Sequence, residues 1–527
     1  LHRSHEGRYM YPRHWAILSP DKNAVIDSVS GASLTHAELD DQSNQLAQLM
    51  YAHGLRRGDH CAILMENDVR YFVVVWAALR SGVYITTVNS HLTNEETAYI
   101  IDNSESRIVV TSSTQMGHSN DLPERCPNVE RWLMMGDSEH VVHPCEPYDD
   151  ALKLHPVVPL CEEPAGGMML YSSGTTGKPK GIIKPLPDLS IGELEVGKLQ
   201  REVWEFDENT MYLSTAPLYH SAPVGFAIAA QASGGTVIIT PKFDGLEALA
   251  AIERYGVTHS QWVPTMFTRM LKLSDTAQKR FDLSTHRIAI HAAAPCPIEV
   301  KQQMLAWWGP IIYEFYGGTE GNGITHVTPQ DWLQRPGTVG QPILGELHIC
   351  DDDGNELPTG QAGLVYFELP ETPFRYLNDD EKTEDALHPQ YSNWSTLGDV
   401  GYVDEEGFLF LTDRATHMII SGGVNIYPQE IEDAIIMHPK VKDVAVIGVP
   451  NNEMGEEVKA IVQLEPNVTA HTSIAEEILS HTRERIAHYK CPRSIDFEDS
   501  LPRLPTGKLY KRILKDRYWK KTDSRIL

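Results

Sequence analysis

Residues 171–181 read Tyr-Ser-Ser-Gly-Thr-Thr-Gly-Lys-Pro-Lys-Gly, a run that neither a helix nor a strand accommodates. It holds three glycines, four Ser/Thr hydroxyls, two lysines and a proline. Glycine permits positive φ and leaves backbone N–H groups bare, so such a loop can wrap an anion. Hydroxyls donate to phosphate oxygens, and lysines supply charge. The preceding residues 166–170 end in an apolar stretch that suits a buried strand. A strand running into a phosphate cradle points to a nucleotide enzyme. It is not the P-loop of NTPases, which needs Ser or Thr directly after its lysine to hold Mg²⁺. Here Pro179 follows Lys178.

At 527 residues the chain exceeds one compact core, so two or more domains are expected. A formal net charge of −27 argues against nucleic acid and anionic membrane as general partners. A polyanion must therefore meet local positive charge. The last 25 residues carry some, in Arg503, Lys508, Lys511, Arg512, Lys515, Arg517, Lys520 and Lys521, most of it readable as a solvated helix face. Seven scattered cysteines without a CxxC pair point to reduced thiols and a cytoplasmic location. The 23 histidines include no HExxH or clustered His/Cys set, so no zinc site is expected. The apolar run 71–79 lies between Arg70 and Arg80, far short of the ~20 residues that span a bilayer. No signal-peptide pattern opens the sequence.

Short β-branched runs at 61–65, 107–111 and 235–240 alternate with helical spacing at 35–53 and 246–255. That alternation predicts an α/β fold with parallel sheets. From about 337 to 412, short runs separated by turn signals predict antiparallel hairpins. Beyond Gly423 the spacing predicts a helix over 429–438, strands over 444–449 and 458–464, and a helix over 474–489. A boundary is expected between 412 and 419.

Two further segments read as nucleotide chemistry. Tyr316-Gly317-Gly318-Thr319-Glu320 follows residues 308–313, which read as a strand. Its tyrosine can lie on a purine, its glycines admit close backbone approach, and its glutamate can hold Mg²⁺ through oxygen. In Thr396-Leu397-Gly398-Asp399 the aspartate can accept from both hydroxyls of a ribose.

With the loop, His291–Pro295, Asp413-Arg414, the run 418–423 and Leu504-Pro505-Thr506-Gly507-Lys508, these segments resemble the ordered motifs of the adenylate-forming enzymes. That superfamily holds acyl-CoA synthetases, luciferases and the adenylation domains of peptide synthetases. The resemblance runs from about residue 16 to 512. It implies a large N-terminal domain over 1–412, built of two α/β subdomains with parallel sheets plus a distorted β-barrel. A small mobile α+β domain over 413–527 would follow. It implies ATP/AMP binding by Ser172, Ser173, Gly174, Thr175, Thr176, Gly177 and Lys178, by Ala293, Ala294 and Pro295 beside the adenine, and by Tyr316, Gly317, Gly318, Thr319, Asp399 and Arg414. Glu320 would hold Mg²⁺, and Lys508 would act in catalysis with Glu320, Thr175 and Lys178. The acyl pocket would be lined by His220, Ser221, Gly225, Trp262, Val263, Thr265, Ala292 and Gly318. Ser421, Gly422 and Gly423 would border a tunnel for CoA. The chain departs from the pattern twice. Ala292 stands where the family usually has Gly, which narrows the acyl floor. Thr416 stands at the hinge, where Asp or Lys is usual.

The implied reaction converts a carboxylic acid and MgATP to acyl-AMP and pyrophosphate, then passes the acyl group to CoA with release of AMP. An alternative is an adenylation-specialised ligase that hands acyl-AMP to a partner protein or other acceptor. Residues 212–225 contain no carboxylate to grip a substrate amine, and no carrier-protein segment follows Lys508. Both observations disfavour a peptide-synthetase module. The apolar lining favours a hydrophobic acid. Fatty, aryl and bulky polycyclic acids stay open, as does a homodimer.

Overall fold

The computed structural model describes residues 11–118, 121–136, 141–172, 179–414, 417–421, 424–451, 454–503 and 509–519. Residues 173–178 of the loop, Thr416, Gly422, Gly423 and Lys508 lie outside that set.

Two parallel sheets form the larger part. One has six strands, in the order Glu146–Pro147, Arg131–Met135, Ser106–Ser112, His60–Leu64, Tyr84–Thr87 and Gly167–Met168, with every neighbour parallel. The other has Ser33–Thr35 at its edge, antiparallel to Asn23–Asp27, and continues through Thr236–Ile239, Met211–Ser214, His259–Trp262, Ile288–His291 and Ile312–Gly317, all parallel from Asn23–Asp27 on. These strands read as short β-branched runs because both sheet faces are covered.

Two helices lie in the apolar layer between the sheets. Tyr71–Leu79 is apolar on every side, and all nine of its residues are buried. A helix with that pattern is stable only inside a core. Ser221–Ala232 packs beside it, where the Trp76 indole N–H donates to Gln231 Oε1 at 2.8 Å. One continuous cluster joins Cys61 and Ile63 of the first sheet, through both helices, to Val237 and Ile290 of the second. The buried Arg80 guanidinium closes the end of that layer between Asp40 (2.8 Å) and Glu163 (2.7 Å). The helix expected over 35–53 is His36–Ala52, started by a reciprocal capping box between Thr35 and Glu38.

The hairpins expected after residue 337 are present and join the edge of the parallel sheet. Ile324–Val327 pairs antiparallel with Ile312–Gly317, and Thr338–Leu344, Leu409–Arg414, Trp394–Val403, Gly363–Glu368 and Glu346–Cys350 continue that same sheet to thirteen strands. The strand expected over 308–313 is corrected. The helix Ile298–Trp308 runs through both tryptophans, Gly309 ends it at φ +83°, and the strand starts only at Ile312. Trp308 is held in the helix by its packing on Trp262 and Phe267.

After Leu409–Arg414, the last strand of the large sheet, Ile419–Ser421 begins a second, smaller sheet. Its centre is the antiparallel pair Val441–Asn451 and Gly455–Leu464, covered by helices Pro428–Ile436, Thr472–Arg483 and Lys511–Trp519 around their own apolar clusters. The helix expected over 474–489 stops earlier, at Arg483.

Gly340 shows how tightly the antiparallel arm is set. Its φ is +96°, and an added Cβ would stand 2.0 Å from the carbonyl oxygen of His326. Both the dihedral and the contact with backbone exclude a side chain. Gly340→Ala is expected to lower stability by at least about 2 kcal/mol. The urea midpoint reads this, and an unchanged midpoint would show that the arm yields freely.

Candidate nucleotide and acyl site

The described members of the predicted nucleotide set come from distant segments, several of them at the ends of the parallel strands. Leu170–Ser172 and Lys180–Ile183 pair antiparallel, with Lys180 opposite Ser172 and Gly181 opposite Tyr171. The strands on either side of the loop thereby run antiparallel next to each other. Lys180–Ile183 also pairs with Arg375–Tyr376. Tyr376 links the root of the loop to the next motif: its hydroxyl donates to Glu320 Oε1 at 2.9 Å, and Lys180 Nζ lies 4.7 Å from its ring centroid. Glu320 is 8% exposed, and no hydrogen bond to its Oε2 is found among the described residues. A hard cation takes carboxylate oxygen, so this residue fits a Mg²⁺ ligand. Lys184 stands close by. A Cβ on Gly321 would come within 2.6 Å of its Nζ. Burial lowers the Lys184 ammonium, and the charge of Glu320 works against that shift.

On the other side of the same turn, the Tyr316 hydroxyl donates to Asp399 Oδ2 at 2.8 Å. Asp399 lies within the strand Trp394–Val403, and its backbone is in register with Arg414. The structure thus unites Tyr316, Asp399 and the Arg414 backbone at one place. Ala293, Ala294 and Pro295 are exposed just beyond Ile288–His291, and Ala293 holds φ +75°. A non-glycine residue in that region is strained, and such strain gathers at functional turns.

Beneath these loops lies a buried charge cluster. Lys301 Nζ meets Glu314 Oε2 at 2.6 Å, and His291 Nε2 stands 3.3 Å from the same oxygen. Lys301 also lies 4.8 Å from the Trp332 ring centroid. Burial alone would raise the Glu314 carboxyl, but His291 and Lys301 together hold it below its ordinary value. Burial lowers His291, leaving it neutral near pH 7, so the charge opposing Glu314 there is that of Lys301. His291 ends one strand directly before Ala292, and Glu314 lies two residues before Tyr316 in the next. The cluster therefore fixes the strand ends from which both adenine-side segments leave.

Of the expected acyl-pocket residues, Ser221 lines a cavity of about 170 Å³ together with Thr319, Met168, Leu170, Ile182 and Lys184. Gly225 lies one helical turn on, on the same helix face. A Cβ added there meets nothing within 4 Å. His220 occupies the N-cap position of that helix, its buried Nε2 has no hydrogen-bond partner among the described residues, and burial pushes its imidazole down to about 3, so it is neutral near pH 7. Ala292 is buried, and Val263 and Thr265 are half-buried. Trp262 is different: it is 1% exposed, packs against Phe243, Phe267 and Trp308, and donates to Ser260 Oγ. Its side chain belongs to the core. Gly317 and Gly318 lead into the Glu320 turn, where a Cβ on Gly318 would meet Leu397 at 2.5 Å. Ser421 ends its strand just before the undescribed pair Gly422-Gly423. Lys301, Glu314, Tyr376 and Lys184 carry no motif that sequence reading singled out.

This fold, with these segments gathered at its strand ends, is that of an AMP-binding enzyme. Residues 13–376 match the AMP-binding enzyme family, and residues 430–508 match the AMP-binding enzyme C-terminal domain. The chain belongs to the adenylate-forming superfamily and is a ligase. Long-chain-fatty-acid–CoA ligase FadD13 of Mycobacterium tuberculosis is 29% identical over 520 residues, covering 96% of this chain and 97% of that one. Fatty acid–[acyl-carrier-protein] ligase ScoC of Streptomyces coeruleorubidus is 29% identical over 495 residues, covering 93% and 92%. Among solved structures, o-succinylbenzoate CoA synthetase (MenE) of Bacillus subtilis, in complex with its acyl-adenylate OSB-AMP, matches with a TM-score of 0.79. It is 26% identical and covers 97% of this chain and 98% of that one. No helix among the described residues is long and apolar enough to cross a membrane.

The buried cluster makes a measurable demand. Removing one partner of a buried ion pair costs about 3–5 kcal/mol, and Lys301→Met is expected to lose that much at pH 7. The Glu314 carboxyl is depressed in the folded chain, so its contribution is present above the unfolded value near 4.5 and disappears as pH falls through the lower folded value. The gap between wild type and Lys301→Met should therefore narrow as pH falls from about 5 toward 2 in urea unfolding. A gap independent of pH would contradict the assignment.

Proposed function

We propose that this chain is an acyl-CoA synthetase. It activates a hydrophobic carboxylic acid with MgATP to acyl-AMP and pyrophosphate, then transfers the acyl group to the CoA thiol and releases AMP. The observation that carries the reading is the single cavity shared by Thr319 of the nucleotide turn and Ser221 of the acyl-side helix. It brings the acid to the turn that would face the α-phosphate.

In the first step a carboxylate oxygen attacks the α-phosphorus and the bond to the β-phosphate oxygen breaks. Two anions must approach each other, so neutralising charge dominates the barrier. Thr175, Thr176 and Lys178 would hold the departing phosphates, and Lys508 would bridge the reacting anions. Tyr316 and Asp399 would hold the adenine and ribose, with Asp399 oriented by the Tyr316 hydroxyl. Glu320, oriented by Tyr376, would hold Mg²⁺, which when bound neutralises phosphate charge. In the second step the CoA sulfur attacks the acyl carbon and AMP leaves. Domain 413–527 would turn about Thr416 between the steps, withdrawing Lys508 and bringing Ser421, Gly422 and Gly423 to the pantetheine arm. Transfer to a carrier protein is the second reading, favoured by the carrier-protein ligase among the relatives and by the unusual Thr416.

A panel of fatty, aryl and polycyclic acids, scored by pyrophosphate release with and without CoA, tests both readings. CoA-dependent AMP release supports the synthetase. Release of pyrophosphate without CoA-dependent turnover supports the second reading, and no release with any acid sinks both. Lys508→Ala is expected to lose adenylation by about 10²–10³-fold while still converting supplied acyl-AMP to acyl-CoA. Retained ATP–pyrophosphate exchange would contradict its role. Gly225→Leu fills the open space on the helix face and is expected to raise KM for the preferred acid at least tenfold, with KM for ATP unchanged. Equal effects on both substrates would place Gly225 outside the acyl pocket.

A further inference from the structure

Far along the antiparallel arm, a second cluster is built that the ligase reaction does not use. Glu346 and Glu368 stand directly opposite each other on the edge strand pair Glu346–Cys350 and Gly363–Glu368. Like charges in register repel and destabilise a sheet. His348 lies two residues from Glu346 and so projects from the same face. One ligand atom from each of Glu346, His348 and Glu368 lies within 4.8 Å of the others. The His348 side chain is only 10% exposed, yet its Nε2 makes no hydrogen bond to any described residue. That nitrogen stands 3.4 Å from Glu368 Oε2. Two ligands each about 2.0–2.1 Å from a tetrahedral zinc ion are separated by about 3.3 Å. The opposite ring nitrogen, Nδ1, lies 2.6 Å from Glu356 Oε1. A proton on Nδ1 donated to Glu356 would leave the Nε2 lone pair for a metal, the usual outer-shell arrangement for a ligating histidine. The ring is further fixed by stacking on Trp394 at 3.6 Å, and the Asn393 amide donates to Glu368 Oε1 at 3.3 Å.

We propose that Glu346, His348 and Glu368 form a binding site for a divalent transition-metal ion of the zinc type, with Glu356 orienting the histidine. A bound cation would cancel the cross-strand repulsion and pin the edge of the sheet. The full chain, stripped with chelator and free of nucleotide and Mg²⁺, is titrated with Zn²⁺ by calorimetry beside Glu346→Gln and His348→Asn. Wild type is expected to bind one ion at micromolar affinity or tighter and to gain thermal stability. Each variant should weaken binding at least tenfold and lose the thermal gain, with the chelated stability of the exposed Glu346→Gln equal to or above that of wild type, because it removes one of the two opposed charges. If His348→Asn does not fold, Glu346→Gln and Glu368→Gln decide. Absent binding in wild type, or affinities within tenfold across all variants, overturns the proposal.

Discussion

The site depends first on the buried contact between Lys301 and Glu314. Strand ends in a parallel sheet are only as well placed as the groups that tie them together. Here one carboxylate is gripped by a lysine from the helix Ile298–Trp308 and approached by the histidine that ends the neighbouring strand. An ion pair at that depth is weak as a source of stability, because removing two charges from water offsets most of their attraction. Its use is positional. An unpaired Glu314 would be so unfavourable that alternative placements of the helix are excluded, and the turns at Ala293 and Tyr316 inherit that restriction.

Other ties complete the frame from different directions. Tyr376 joins the strand after the phosphate loop to Glu320, and Tyr316 joins the strand end to Asp399. Each is a phenol donating to a carboxylate that the proposed reaction would present to a cation or to a ribose. The acids are thus held by neutral donors, which orient them without cancelling their charge. The two α/β units that carry these groups share one core through Tyr71–Leu79 and Ser221–Ala232, so the halves of the site cannot drift apart without exposing apolar surface.

The polar segments of this site were legible because each combines residue types that secondary structure avoids. Gly-Thr-Thr-Gly-Lys and Tyr-Gly-Gly-Thr-Glu stand out against any helix or strand pattern. The parallel sheets were legible from short β-branched runs. Lys301 was not, because a lysine in an amphipathic helix reads as solvent-facing unless its burial is seen. Tyr376 sits in a two-residue strand too short to read. Residues 308–313 misled because Ile, Ile and Tyr suggest a strand, while packing on Trp262 keeps Trp308 helical up to Gly309. Trp262 was placed among the lining residues by the resemblance alone, yet its ring packs in the core. The Glu346–His348–Glu368 cluster escaped because its members come from two strands, and a search by sequence spacing sees only one at a time.

Gly225 has a consequence for how such a chain diversifies. The helix Ser221–Ala232 buries Val224, Phe226 and Ala227 in the shared core, while Gly225 faces open space. Side chains can be tried at that one position without disturbing the contacts that hold the helix. In the proposed reading, the range of acids accepted becomes a property that drifts almost independently of folding. Relatives of one architecture can then part company in diet long before they part company in shape.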